Sequence, residues 1–350
     1  MMSADNSASI DDVMSRQAAG EALTRGDARH LVEAVLDDAV TIERFGEWLT
    51  TTASRAPTAA EIAGVADALR ARMKPIHGVY SVIGDTCGTG GDGSGSFNIS
   101  TAAALVVAAA GLPVAKHGNR AVSSRTGSAD VLERLGVEVA PPAAVAERCL
   151  ADVGIAFLFA PAHHPALAKL RDLRRSIGHP TVFNLVGPLC NPAGATVQVI
   201  GVGRDDARWP VAEAAQLLGM QRAIVVRSQD GVDEIGLFTP TRVLDVSPAG
   251  IHEATWSPED FGVATRSTAD CGPLLAADAD ESAACIRSVL DGELGPRRDI
   301  VILNAAALLW AAGRAGDLTA AAHLATAAID SGQARSVLER LQVASHASEP

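Results

Sequence analysis

The 350-residue sequence predicts an α/β protein: a small all-helical domain over residues 1–77, then a large α/β domain over 78–350 with a mostly parallel central sheet covered by helices. Three observations lead there. Residues 10–75 repeat apolar side chains at spacings of three and four without a β-branched run. From residue 78, short apolar runs of strand length alternate with Ala-rich helical stretches, the pattern of parallel strands buried on both faces. A composition of 48% hydrophobic and 20% charged residues supplies the apolar surface that such a core consumes.

Within the first domain, LVEAVLDD (31–38) and FGEWL (45–49) are amphipathic, and Thr58-Ala-Ala-Glu61 is a capping box opening a helix through VADALRARM. No nucleophile, base and acid converge there, so these helices are expected to pack and dimerise. In the second domain GVYSVIGD (78–85), VAKHG (114–118), IAFLFA (155–160), VQVIGVG (197–203) and RAIVVRS (222–228) are predicted strands. STAAALVVAAAG, SADVLERLG and WPVAEAAQLLG are predicted helices, each closing on a glycine suited to a left-handed cap. The basic segment Pro165 to Arg175 is helical and falls between strands. Asp299 to Leu341 is helical, broken at Gly313, Gly316 and Gly332.

The net charge of -12 argues against a general nucleic-acid or membrane-surface binder and demands local cations if the ligand is an anion. Cys87, Cys149, Cys190, Cys271 and Cys285 are scattered, with no C-x-x-C pair, and are expected to be reduced thiols. The N-terminus lacks the basic and apolar regions of a signal peptide, and the longest apolar run, 102–115, falls short of the ~20 residues of a membrane span. The cytoplasm is the expected compartment.

Five segments carry candidate chemistry. Gly88-Thr-Gly-Gly-Asp-Gly93 follows a predicted strand and precedes a helix, where backbone N–H groups can cradle a phosphate or pyrophosphate. The string also fits a dinucleotide-binding turn, but the acidic residue expected ~20 positions onward is missing, since no Asp or Glu occurs between Asp92 and Asp130. Asn98-Ile-Ser-Thr101 could cap the helix or bind a phosphate and its metal. Lys116-His-Gly-Asn-Arg120, continued by AVSSRTGSAD, sets cations and amides at the end of the next strand, the edge where open α/β sheets bind ligands. Asp233-Glu234 offers two hard oxygen donors suited to magnesium shared with substrate phosphates. Arg174 or Arg175, ahead of FNLVGPLCNPA, could clamp a carboxylate.

Taken in order, DTCGTGGDGSGSFNISTAAALVVAAAG, KHGNRAVSSRTGSADVLERLG, FNLVGPLCNPA, DGVDEIG and RRDIVILNAAALLW resemble the anthranilate phosphoribosyltransferase family over residues 20–340. The resemblance implies transfer of phosphoribosyl from phosphoribosyl pyrophosphate (PRPP) to the amine of anthranilate, with Mg2+, in a homodimer whose small helical domain is joined in space by inserted helices near 165–190. It implies that PRPP meets Gly88, Gly91, Asp92, Ser96, Asn98, Ile99, Ser100, Thr101, Lys116, His117, Gly118, Asn119, Arg120, Ala121, Val122, Ser123, Ser124 and Ser128. Ser100, Asp233 and Glu234 would hold the metal. Anthranilate would meet Gly88, His117, Asn119, Arg174, Gly187 and Pro188, with Arg174 nearest its carboxylate, and no residue is implied as general acid or base. Ser96 stands where the family commonly has Thr, Arg125 where it often has Lys, and Arg227-Ser228 where His-Gly commonly precedes the acidic loop. A pyrimidine nucleoside phosphorylase and a non-catalytic nucleic-acid-binding paralogue are the rival readings. The former shares a glycine loop for phosphate; the latter calls for a basic face that this acidic chain lacks.

Overall fold

A computed structural model describes residues 9–53, 55–78, 80–121, 125–270 and 272–348. Four helices open the chain: α1 (Ile10–Ala18), α2 (Arg25–Leu36), α3 (Ile42–Ala53) and α4 (Ala59–Arg70). Ser9, Thr24 and Thr58 cap the first, second and fourth, and Thr58 and Glu61 form the complete reciprocal box. Glu61 also accepts from the Leu23 N–H at 3.1 Å, tying α4 to the turn before α2.

The sheet has the order β3-β2-β1-β4-β5-β6-β7. Its strands are β1 (Gly84–Asp85), β2 (Val114–Gly118), β3 (Ile155–Phe159), β4 (Val197–Gly201), β5 (Arg222–Ser228), β6 (Thr241–Ser247) and β7 (Gly250–Trp256). The first five run parallel, and β6 and β7 add an antiparallel hairpin at one edge. The strand predicted over 78–85 contracts to Gly84–Asp85. The hairpin was not anticipated, because β7 is largely exposed and its polar residues break up the apolar run that marked the other strands.

Helices cover both faces. Side chains along β5 alternate between them: Ile224 and Val226 pack into one core with α5 (Ile99–Ala109), α11 (Ala279–Leu290), α12 (Pro296–Ala311), α13 (Leu318–Asp330) and α14 (Gln333–Ser345). Ala223 and Val225 pack into a second core with α10 (Arg208–Leu217) and the α1–α4 bundle. Each buried Val or Ile contributes about 1.5–3 kcal/mol, so this alternation fixes which face each strand presents. Helices α6 (Ser128–Arg134) and α7 (Ala143–Arg148) lie between β2 and β3; α8 (Ala160–His163) and α9 (Arg171–Ile177) lie between β3 and β4. Helices α5, α6 and α10 run out into glycines of positive φ, as their sequences suggest.

The segment after β3 joins the bundle. The Phe45 ring lies 5.1 Å from Trp48 and 6.2 Å from Phe183, and Leu170, Val182, Phe183 and Leu189 share the bundle's core. Trp48 is fully buried and fills that core. No helix among the described residues is long and apolar enough to cross a membrane. Cys87, Cys149, Cys190 and Cys285 are unpaired, and Cys271 lies outside the described residues.

β1 is the strand from which the chain winds outward in two directions, to β2 and β3 on one side and to β4 and β5 on the other. In open α/β sheets the crevice at the carboxyl ends of such diverging strands is where ligands bind.

Candidate active site

A cleft of about 550 Å³ opens at those carboxyl ends, within the usual range for small-molecule sites. β1 delivers the loop 86–97, in which Gly90, Gly91, Gly93 and Gly95 all take φ between 66° and 82°. A side chain at such φ is strained, so a run of glycines lets the backbone fold tightly and turn N–H groups toward a ligand. The loop enters α5, whose first residues, Ile99 and Ser100, line the cleft at the positive end of the helix dipole.

The cleft gathers residues far apart in sequence: Gly88, Gly91, Asp92, Ser96, Asn98, Ile99 and Ser100 from the loop and α5, Lys116 to Arg120 from the end of β2, and Ser128 from α6. Arg174, Gly187 and Pro188 approach from the bundle side, and Asp233 and Glu234 from the loop after β5. Two candidate ligands fall outside the lining. Thr101 sits on the buried side of α5, 2% exposed, and its hydroxyl lacks a partner among the described residues. Ala121 follows the lining loop without reaching the cleft. Val122, Ser123 and Ser124 lie outside the described residues.

Charge divides the cleft. At one end Asp92, Asp233 and Glu234 converge: the Asp233 N–H donates to Asp92 Oδ2 at 3.3 Å, and the Ser94 N–H holds Oδ1 at 3.1 Å. Burial and then the Asp92 charge push Asp233 up to about 7. Burial and then Asp233 raise Glu234 well above the usual carboxylate range. The nearby Lys116 ammonium donates to the Thr86 carbonyl at 3.2 Å and to no other group among the described residues. Among the described residues no three His, Cys, Asp or Glu side chains enclose a cation by themselves. Two adjacent carboxylates with open coordination suit magnesium, which completes its octahedron with water and ligand phosphate oxygens. The donor set therefore fits that ion.

At the other end stands Arg174. Its guanidinium lies 5.3 Å from the Phe183 ring centre, has no acid or carbonyl partner among the described residues, and is lowered in pKa by burial. Arg175, by contrast, is exposed and paired with Asp172 at 2.7 Å. Arg120 reaches the cleft with its charge already matched by Asp130 at 3.0 Å and Glu133.

Between the poles lies a histidine group. His117 Nδ1 meets the Gly187 carbonyl at 3.1 Å, which places the ring proton on Nδ1, and Nε2 has no partner among the described residues. Burial, then His164, pushes His117 down to about 3; burial pushes His164 to about 4. Both are neutral at physiological pH. A histidine with a folded pKa below its unfolded value of about 6.5 stabilises the fold fully above pH 6.5, and that contribution falls away as the pH drops. Since Asp233 works in the opposite direction, the histidine effect is best read as a difference. His164→Gln, whose amide can take the 3.0 Å bond to the Cys190 carbonyl, should lose roughly 2 kcal/mol less stability than the unaltered protein between pH 6.5 and 4.5. Parallel denaturant titrations at the two pH values check this, and equal losses would show that His164 protonates freely in the fold.

Several residues of the site carried no distinctive signal in sequence. Asp85 is fully buried beneath the cleft; its carboxylate accepts from Asn191 Nδ2 at 2.8 Å, Gln198 Nε2 at 3.0 Å and the His117 N–H at 3.2 Å. Burial raises its pKa, and Lys116 opposes that rise. A carboxylate inside the apolar run of β1 was the one available hint. Asn304 on α12 and Phe183 also line the cleft. Arg227, one of the departures from the family pattern, donates to the Val202 carbonyl at 3.1 Å and to that of Gly203, so its charge is engaged behind the glycine loop.

The chain matches the helical bundle domain of a glycosyl transferase family over residues 12–73 and the a/b domain of a glycosyl transferase family over 81–335. It is 45% identical over 329 residues to the anthranilate phosphoribosyltransferase of Moorella thermoacetica, spanning 94% of this chain and 96% of that protein. The crystal structure of the Thermus thermophilus anthranilate phosphoribosyltransferase superposes with a TM-score of 0.88 at 39% identity, covering 96% of this chain and all of that one (100%). The Saccharomyces cerevisiae enzyme in complex with PRPP and Mg shares the fold, with a TM-score of 0.84 at 24% identity over 96% of this chain and 97% of that one.

Proposed function

The chain belongs to the anthranilate phosphoribosyltransferases of the glycosyl transferase family, and from that premise we propose that PRPP lies along the glycine loop, magnesium at Asp233 and Glu234, and anthranilate against Arg174. The observation that carries this reading is the division of charge: a desolvated arginine with no acid partner among the described residues faces one end of the cleft, and an acidic pair beside a buried lysine lines the other. A ligand pair with a carboxylate at one end and a metal-bound pyrophosphate at the other answers both.

The reaction joins the anthranilate nitrogen to C1′ of the ribose as the bond from C1′ to pyrophosphate breaks. Loop N–H groups and the start of α5 take the phosphate oxygens, and Lys116 places a fixed positive charge nearby. Magnesium bound at the acidic pair would neutralise the charge that gathers on the departing pyrophosphate. Arg174 holds the acceptor by its carboxylate, so the amine is presented to C1′ without a search over orientations. An aromatic amine is uncharged at neutral pH and attacks through its lone pair; the surplus proton passes to water afterwards. His117 takes no proton in this scheme. Its pKa near 3 keeps it neutral, with Nδ1–H on the Gly187 carbonyl.

Anthranilate fluorescence tests the assignment. The signal should fall when PRPP and magnesium are added together, and persist with EDTA or without PRPP. Persistence under all conditions, with thymidine cleaved in the presence of phosphate, would replace this reading with a pyrimidine nucleoside phosphorylase.

A further inference from the structure

The acidic pair sits on a loop, yet four different elements hold it. Asp233 N–H donates to Asp92 in the glycine loop at 3.3 Å. The Asp233 carbonyl rests on Gly201, the last residue of β4, where a Cβ would lie 1.6 Å from that oxygen. Gly236 N–H donates to Thr241 Oγ1, at the start of β6, at 2.9 Å. The fourth tether is Asn304 on α12, bound to Ile235, the residue after Glu234.

Asn304 is 2% exposed and stands in a helix that is otherwise apolar through this stretch, ILNAAALL. A carboxamide in such a place is costly unless it is hydrogen-bonded. Its Oδ1 accepts from the Ile235 N–H at 2.9 Å, while Nδ2 donates to the Ile235 carbonyl at 3.1 Å and to the Ile300 carbonyl of its own helix at 2.9 Å. One side chain thus takes both backbone groups of one residue, as a neighbouring strand would. Two bonds to a single residue fix its direction as well as its position, and the adjoining peptide carries Glu234. The side chain also borders the cleft.

We infer that Asn304 is a positioning residue that locks the Asp233–Glu234 segment to α12, so that both carboxylates are aimed before a cation arrives. This rests on the metal reading of the acidic pair. Outer residues that orient metal ligands typically change metal affinity by about 10- to 100-fold when removed. Arg174 lies on a different element, α9, and is untouched.

The experiment measures Mn2+ binding by electron paramagnetic resonance with PRPP present, for the unaltered protein, Asn304→Leu and Asn304→Ser, alongside the KM for anthranilate and the melting temperature. Leucine keeps the branching and number of heavy atoms and removes all three bonds; serine keeps a hydroxyl and is the milder change should the leucine variant fold poorly. The expected result is Mn2+ affinity weakened about 10-fold or more in Asn304→Leu and less in Asn304→Ser, with the KM for anthranilate within about twofold of normal. Unchanged Mn2+ affinity overturns the inference. So does a parallel loss of metal binding, anthranilate binding and melting temperature, which would make Asn304 an ordinary core anchor. If the unaltered protein itself binds no Mn2+ with PRPP present, the metal reading falls, an outcome distinct from equal binding by all three proteins.

Discussion

Asp233→Asn with Glu234→Gln in one chain should lower kcat/KM for PRPP by about a thousandfold or more, roughly 4 kcal/mol of transition-state stabilisation. Both residues are changed together because they adjoin and both face the cleft; with either left, a single carboxylate could retain a weakly held ion. The amides keep the shape of the side chains and remove two negative charges. Stability should move the other way. Burial, with repulsion from Asp92 on Asp233 and from Asp233 on Glu234, pushes both carboxyls upward, so neutral amides relieve a strained group of acids, as expected where function and stability compete. A variant that melts at or above the normal temperature yet has lost turnover locates the defect in chemistry rather than folding. Steady-state rates across a magnesium titration, with thermal melts of the same samples, make the comparison; near-normal rates at any magnesium concentration would remove the acidic pair from the mechanism.

Much of this architecture was legible for one physical reason. Strands β2, β3, β4 and β5 are buried on both faces, so their apolar runs announced them to within a residue or two. The hairpin of β6 and β7 obeys a different rule: Arg242, Asp245, His252 and Glu253 interrupt it because one face is wet or lies at the sheet edge. The two long loops of the site stood out because a tight backbone beside an anion calls for glycine and small polar residues in dense runs. What did not stand out was support formed across long sequence distances. Asp85 depends on Asn191 and Gln198, and Ile235 depends on Asn304; each of those residues looks ordinary until the fold brings its partner within 3 Å. Thr101 shows the complementary difficulty. Its hydroxyl type suits a ligand, but one further step around α5 turns it to the buried side, a distinction that residue identity cannot express.

Arg174→Met should raise the KM for anthranilate by about 100-fold, with the KM for PRPP little changed. Loss of one member of a buried, hydrogen-bonded charge pair typically costs about 2–5 kcal/mol, or roughly 30- to several-thousand-fold in affinity. Arg174 is suited to such a pair because burial weakens its hydration while no acid or carbonyl among the described residues replaces it; the Phe183 face supports the guanidinium from one side. Methionine retains length and the contact with Phe183, so the change removes charge more than packing. The decisive comparison uses anthranilamide, in which the carboxylate is an uncharged amide. The unaltered protein should strongly prefer anthranilate, whereas Arg174→Met should treat the two alike, because the preference resides in the charge pair and in nothing else that differs between the molecules. Arg175→Met supplies the control: that guanidinium is exposed and paired with Asp172, an interaction worth about 0–1 kcal/mol, and its loss should leave both KM values unchanged. A preference for anthranilate that survives in Arg174→Met would mean that another donor reads the carboxylate, and the acceptor would then have to lie elsewhere in the cleft.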